Sequence, residues 1–278
     1  MFLESIIYLF IFLLGLCIGS FLNVVIYRTE EEKSFIKGRS FCPNCKHNLN
    51  WKDLFPVFSY LLLGGECRYC KAKISWQYPA VEISTAIIFL LISLQATSYK
   101  LQAILNLVFW FYIASVLIVI FVYDLKHYLI PDNVLFPAIV IAFIYKVFVN
   151  LSFSNWNLIE NWKLGIGNSF SILNLLLAVI IASGFFFLIW FLSSGKWMGF
   201  GDVKLAILLG LMLGLPNILT ALFLAFFFGA IIGIILMIFQ GRNVKSEIPF
   251  GPFLVVGFFV VLFWGNSLVT WYIKLIQF

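Results

Sequence analysis

The sequence predicts an all-α polytopic membrane protein of about eight transmembrane helices, with one small cytoplasmic domain inserted between helices 1 and 2. Three observations carry that prediction. The 278 residues are 63% hydrophobic and 11% charged, with a mean hydropathy of +1.06; a soluble domain must present more polar surface to water. Apolar runs of membrane-spanning length recur along the chain. A single sizeable polar segment, 28–76, interrupts them. The chain therefore divides into a first helix over 1–27, a loop domain over 28–76 and a membrane core over 77–278.

Roughly 20 apolar residues cross a bilayer as a helix. Candidate spans lie near 5–26, 77–96, 101–123, 131–149, 171–193, 203–215, 217–239 and 252–275. The first run lacks the basic start and small-residue cleavage site of a signal peptide, so it reads as a retained helix. Gly15-Leu-Cys-Ile-Gly19 gives that helix a GxxxG, whose default reading is helix packing. The stretch 203–239 is too long for one helix, and Leu213-Gly-Leu-Pro-Asn217 supplies the turn that divides it.

Lys and Arg set the orientation. The segment 28–76 holds nine of the 18 basic residues. With eight spans, Lys126, Lys196, Lys204, Arg242 and Lys245 fall on the same side, and Lys100, Lys146, Lys163 and Lys274 on the other. The loop 28–76 is then cytoplasmic and both termini lie outside. A net charge of +6 suits contact with an anionic cytoplasmic leaflet, which makes membrane lipid a partner. It requires no nucleic acid.

Within the loop, Cys42-Pro-Asn-Cys45 and Cys67-Arg-Tyr-Cys70 are separated by 21 residues. Two CxxC pairs at such spacing present four thiolates to one tetrahedral ion, so Cys42, Cys45, Cys67 and Cys70 are candidate ligands of a structural zinc. The rival reading, two disulfides, conflicts with a reducing cytoplasm. His47 could replace a ligand, although a solvent-exposed knuckle position explains it. Trp51 and Phe55 are expected to pack on the knuckles or at the membrane interface.

Asp124 and Asp202 are the candidate catalytic residues. Asp124 closes one apolar run, and Asp202 follows Gly199-Phe200-Gly201 at the start of another. Ionisable groups at membrane depth are functional hypotheses by default. The eight-span topology puts both at cytoplasmic ends. Alone, Asp202 reads as a helix N-cap; paired with Asp124 it reads as half of an intramembrane aspartyl dyad. Two close carboxylates share one proton, so the ionised partner activates water while the protonated one polarises the scissile carbonyl. Gly199, Gly201, Lys204, Pro249 and Gly251 are candidate supports of the substrate cleft, since glycine-rich backbone can lie against an extended peptide. Asp132, beside Pro131, is explained by the dipole at a helix start; an accessory acid is the alternative. No HExxH or Gly-x-Ser-x-Gly is present, and Gly165-Ile-Gly167 lacks the third glycine of a dinucleotide loop.

These motifs together resemble the type IV prepilin peptidases, also called prepilin leader peptidase/N-methyltransferases, of the GxGD intramembrane aspartyl protease group. The resemblance runs through Gly19-Ser-Phe-Leu-Asn-Val-Val-Ile-Tyr-Arg28, both cysteine pairs, Pro56-Val-Phe-Ser-Tyr60, Tyr78-Pro-Ala-Val-Glu82, Asp124 with Ile130-Pro-Asp132, Gly199-Phe-Gly-Asp-Val-Lys204 and Pro249-Phe-Gly-Pro252. It implies a multi-pass protein of a bacterial cytoplasmic membrane that cleaves the leader of type IV prepilins or pseudopilins and methylates the new N-terminus with S-adenosyl-L-methionine. It also implies Asp124 and Asp202 as the protease pair and the four cysteines as zinc ligands. Gln77 and the stretch 51–55 depart from the family pattern. A rival class, a cation- or proton-coupled transporter using the two aspartates, lacks a clear inverted repeat.

Overall fold

The computed structural model describes residues 2–34, 38–95, 101–153, 172–240 and 248–276. The described residues are almost wholly helical: α1 (Phe2–Glu30), α2 (Phe58–Leu62), α3 (Gln77–Leu94), α4 (Leu101–His127), α5 (Asp132–Phe153), α6 (Ile172–Ser193), α7 (Phe200–Leu213), α8 (Asn217–Gln240) and α9 (Gly251–Ile276). Apart from the short α2, each helix answers to one span expected from the sequence. Five are long and apolar enough to cross a membrane by length and composition, with Gly251–Gly265 as a shorter apolar helix. The protein is a multi-pass membrane protein. The expected loop residues Lys100, Lys163, Gly165, Gly167, Arg242 and Lys245 lie outside the described residues. Lys146, near the end of the expected span 131–149, is buried within α5.

The chain forms two compact units, Met1–Val119 and Ile120–Phe278, with the boundary inside α4. In the first, α1 packs along α3. The GxxxG makes that possible: a Cβ on Gly15 would stand 2.5 Å from Ala86 Cα, and one on Gly19 2.6 Å from Glu82 Cα. Lipid tails are as apolar as leucine, so close backbone packing of this kind drives association where hydrophobic burial cannot. The buried Asn23 amide donates to the Gly19 and Tyr78 carbonyls and ties the helix pair at one level.

In the second unit, α7 is the central element. It packs against α5, α6, α8 and α9, and ten of its 14 residues are buried. Close backbone contact fixes it there: a Cβ on Gly210 would stand 2.9 Å from Val179 Cα of α6. The α7 helix ends where the sequence predicts, at Gly214, whose φ of +64° with ψ of −177° is a backbone conformation essentially confined to glycine. The turn to α8 is pinned by Asn174, whose Oδ1 accepts the Leu215 N–H at 2.8 Å while its Nδ2 donates to the Leu215 carbonyl at 3.3 Å. The Lys146 ammonium donates to the Met212 carbonyl at 3.3 Å, a cation placed on the negative end of α7.

Candidate active site and metal centre

Asp124 lies in the last turn of α4 and Asp202 in the first turn of α7; their residues are 4% and 7% exposed. Burial of two carboxylates in apolar helices requires a specific environment. Within this unit Asp124 is in electrostatic reach of Asp202. The helix that carries Asp202 begins earlier than expected: Gly199 is the N-cap, with extended backbone at φ −71° and ψ 148°. Asp202 therefore does not cap the helix, and its carboxylate is held inside the unit.

The start of α9 completes the surroundings of Asp124. The Gly251 backbone N–H, one of the donors left free at a helix start, hydrogen-bonds the Asp124 carboxylate. The approach leaves no room for a side chain, since a Cβ on Gly251 would meet Asp124 Oδ2 at 2.5 Å. Ile130 fills the neighbouring space: it would touch a Cβ on Gly201 at 3.1 Å and one on Gly251 at 3.5 Å. Two glycines far apart in sequence are thus required by one isoleucine and one carboxylate. Gly251→Ala is expected to push the Asp124 carboxylate away from the α9 terminus and to lower cleavage by about 10²-fold, the scale for a misplacement near 1 Å. Gly201→Ala, pressing only on a flexible isoleucine, is expected to be milder; rates of leader removal for the two variants check the order.

Of the other expected site residues, Lys204 points elsewhere. Its ammonium donates to both carboxylate oxygens of Asp132, at 2.7 and 2.8 Å, and lies over the rings of Phe136 and Phe200. Asp132 opens α5 and is half exposed. It joins the start of α5 to the start of α7, and an exposed pair of this type contributes at most about 1 kcal/mol. Pro249 stands just before the Phe250–Gly251 turn into α9. The role of Ile130 was not legible beforehand, because nothing local marks an aliphatic residue as a spacer.

In the first unit, the Sγ atoms of Cys42, Cys45, Cys67 and Cys70 all lie within 4.8 Å of one another. All five cysteines are free, so no disulfide competes. Zinc–sulfur bonds of about 2.3 Å in a tetrahedron put sulfurs about 3.8 Å apart; Cys42 and Cys70 are 3.9 Å apart. The two CxxC segments fold alike. The Cys42 N–H donates to the His47 carbonyl at 3.0 Å and the Lys46 N–H to the Cys42 carbonyl at 2.9 Å. The Cys67 N–H donates to Ala72 at 2.8 Å and the Lys71 N–H to Cys67 at 3.0 Å. Lys46 and Lys71 share a positive φ, 57° and 58°, and each knuckle closes with a β-bridge, Phe41 to Asn48 and Glu66 to Lys73. His47 is not among the four converging ligand residues; its ring lies tilted at 37° against Tyr69, with the centroids 3.8 Å apart.

The backbone N–H of Ala72 chiefly, then contacts with Cys67, Cys45 and Asn44, pulls the Cys70 thiol down to about 7 despite desolvation. Cys45 moves up to about 11: a backbone bond at His47 lowers it, but desolvation and the neighbouring Cys42 and Cys70 thiols outweigh that. Asp53 braces the second knuckle, with Arg68 Nε at 2.7 Å and the Tyr69 hydroxyl at 3.1 Å. Burial opposes its ionisation, but Arg68, the Asn50 N–H and Tyr69 together hold its carboxyl below the usual aspartate value.

One further feature was missed in the sequence. The Phe58 N–H donates to the Pro56 carbonyl at 2.6 Å across Val57, whose φ is +61° and ψ −48°. This is a γ-turn of the rare positive-φ kind, and a β-branched residue there carries strain of about 1–3 kcal/mol. The buried Glu82 of α3 holds it, accepting the Val57 N–H at 2.7 Å together with the Ser20 hydroxyl.

Known proteins can be set beside this geometry. Residues 13–96 match a family model described as the bacterial peptidase A24 N-terminal domain, and residues 111–234 match the type IV leader peptidase family. The chain is 31% identical to the prepilin leader peptidase/N-methyltransferase of Legionella pneumophila, covering 96% of this chain and 94% of that protein. It is 31% identical to the protein of that name from Xanthomonas campestris pv. campestris, over 94% and 92%. For the Bacillus subtilis protein of that name the identity is 29%, over 95% and 97%. No solved structure matches the chain. With its N-terminal segment and its aspartate-bearing core matched in order, and relatives aligned over nearly their whole length, the chain belongs to the type IV leader peptidase family.

Proposed function

We propose that this chain removes the leader peptide from type IV prepilins or pseudopilins with Asp124 and Asp202, then methylates the exposed N-terminal amine with S-adenosyl-L-methionine. The observation that carries the peptidase assignment is the pairing of two buried carboxylates from α4 and α7 beside the Gly251 N–H. The ionised member of the pair takes a proton from water, which attacks the scissile carbonyl. The protonated member donates to that carbonyl oxygen, and the proton then passes to the leaving amine. The dyad titrates as a unit, so neither aspartate has a fixed role. Gly201 and Gly251 make room for Ile130 and the Asp124 carboxylate, and the open position at Gly199 leaves backbone free for an extended peptide.

Cys42, Cys45, Cys67 and Cys70 hold a structural zinc, which supplies folding energy to the loop and no chemistry. The functional parts are the first helix (1–27), the zinc loop (28–76) and the peptidase core (77–278). The distribution of Lys and Arg supports a place in a bacterial cytoplasmic membrane, with the loop in the cytoplasm and both termini outside. The test is incubation of the purified protein with a type IV prepilin and S-adenosyl-L-methionine, followed by intact mass spectrometry. Loss of the leader plus one methyl group is expected. Leader loss without methylation would remove the transferase half, and an unchanged substrate would overturn the assignment.

A further inference from the structure

The segment 51–62 exposes apolar side chains that the loop domain does not use: Trp51 by 71%, Phe55 by 55%, Phe58 by 54%, Leu61 by 66% and Leu62 by 86%. Trp76, at the entrance to α3, is 75% exposed. So dense a cluster of large apolar groups marks an interaction surface. The zinc knuckles do not cover it. The surface of the second knuckle that faces this segment is occupied by polar ties: Arg68 on Asp53 and Tyr69 on both Asp53 and Asn50.

The depth of the segment identifies what covers it. Val57 is bonded to Glu82, five residues inside α3, or about 8 Å along its axis at 1.5 Å per residue. Glu82 in turn faces Gly19 of α1, eleven residues before that helix ends, about 16 Å along its axis. The turn at Pro56–Phe58 is therefore drawn down beside two apolar helices and does not stand off in the aqueous loop. On α3 itself, Ile83 and Ile87 are exposed as well. Basic residues accompany the segment: Lys52 lies over the Trp51 ring at 5.5 Å, and Lys71 and Lys73 of the second knuckle are exposed. Aromatic side chains edged by lysines suit the headgroup boundary of an anionic leaflet.

We infer that the 51–62 segment is an interfacial membrane anchor: Glu82 pins the Val57 turn to α3, and Phe55, Phe58, Leu61 and Leu62 enter the acyl boundary of a leaflet containing anionic phospholipid. The anchor holds the loop domain down against the bilayer at a second point besides its two helices.

The experiment places a benzophenone amino acid at Phe58 or at Leu62 in the full chain. The protein is reconstituted in nanodiscs of phosphatidylethanolamine and phosphatidylglycerol, irradiated with and without prepilin, and analysed by peptide mass spectrometry. Lipid adducts at both positions, unchanged by prepilin, are expected. In the Phe58 probe, Leu61→Glu with Leu62→Glu should cut the lipid adduct by about tenfold or more, from the apolar burial lost. Retained zinc in that variant shows that the loop remains folded. Prepilin adducts without lipid adducts would make the patch a substrate-docking face and overturn the anchor. Absence of any adduct, or an undiminished adduct in the glutamate variant, would overturn it as well. The readout does not depend on cleavage, so its failure is distinct from failure of the peptidase assignment.

Discussion

Asp124→Asn and Asp202→Asn will each lower the rate of leader removal by about 10²–10⁴-fold, the range supplied by a positioned acid–base group. The double variant will be little worse than either single one, because groups that act as one unit lose their function together. The structural basis is the joint placement of both carboxylates in one buried site, with Asp124 held by the α9 terminus. Asparagine is nearly isosteric and keeps the hydrogen bond from Gly251, so folding and membrane insertion are expected to persist. Single-turnover cleavage of a prepilin by purified variants checks this. Two singles that each retain most of the rate would sink the dyad. Asp132→Asn is the control: it lies in the same unit but pairs with Lys204, and its variant should keep most of the activity.

Cys42→Ser or Cys67→Ser will release the metal and unfold the loop. These two are buried, at 6% and 5% exposure, and no large apolar side chain between residues 38 and 76 is buried with them. A structural zinc in such a site contributes about 10–16 kcal/mol of apparent folding energy, and no core exists to replace it. Zinc content should fall to the background level, and protease should cut within 38–76 while α1 and α3, packed through Gly15 and Gly19, stay protected. The affinity of the intact site will depend on pH with a defined sign. Zinc takes thiolates, so binding displaces protons and strengthens as pH rises. Above about 7 the Cys70 thiol has already lost its proton while Cys45, up at about 11, has not. Binding there still releases at least one proton, so apparent affinity rises at least about tenfold per pH unit. Below about 7 the dependence steepens, because Cys70 must also be deprotonated. A chelator competition series across neutral pH reads both slopes.

Much of this protein is legible in its sequence because the relevant signals are local. Hydropathy over windows of about 20 residues marks spans whatever their partners. Eight such runs answer to eight helices among the described residues, five of them long and apolar enough to cross a membrane, and the division at Leu213–Asn217 follows from one glycine and one proline. The CxxC spacing brings two sulfurs to each knuckle, and the four sulfurs do converge. Gly15 and Gly19 announce a close helix contact and make one with Ala86 and Glu82. The two aspartates stand out because charged groups are rare in such helices.

The sequence could place those aspartates only on the same side of a membrane; the tertiary structure decided what each one faces. It brought Asp124 to the first N–H of α9, set Ile130 between Gly201 and Gly251, turned Lys204 to Asp132, and buried α7 on nearly all sides. It also put a strained Val57 on Glu82 and left Trp51 and Phe55 exposed, off the knuckles. The physical reason is rotation. A soluble helix carries one apolar stripe that reports which face turns inward. These helices are apolar around their whole circumference, so their facing is chosen by backbone approach at small residues and by a few buried hydrogen bonds between distant parts of the chain.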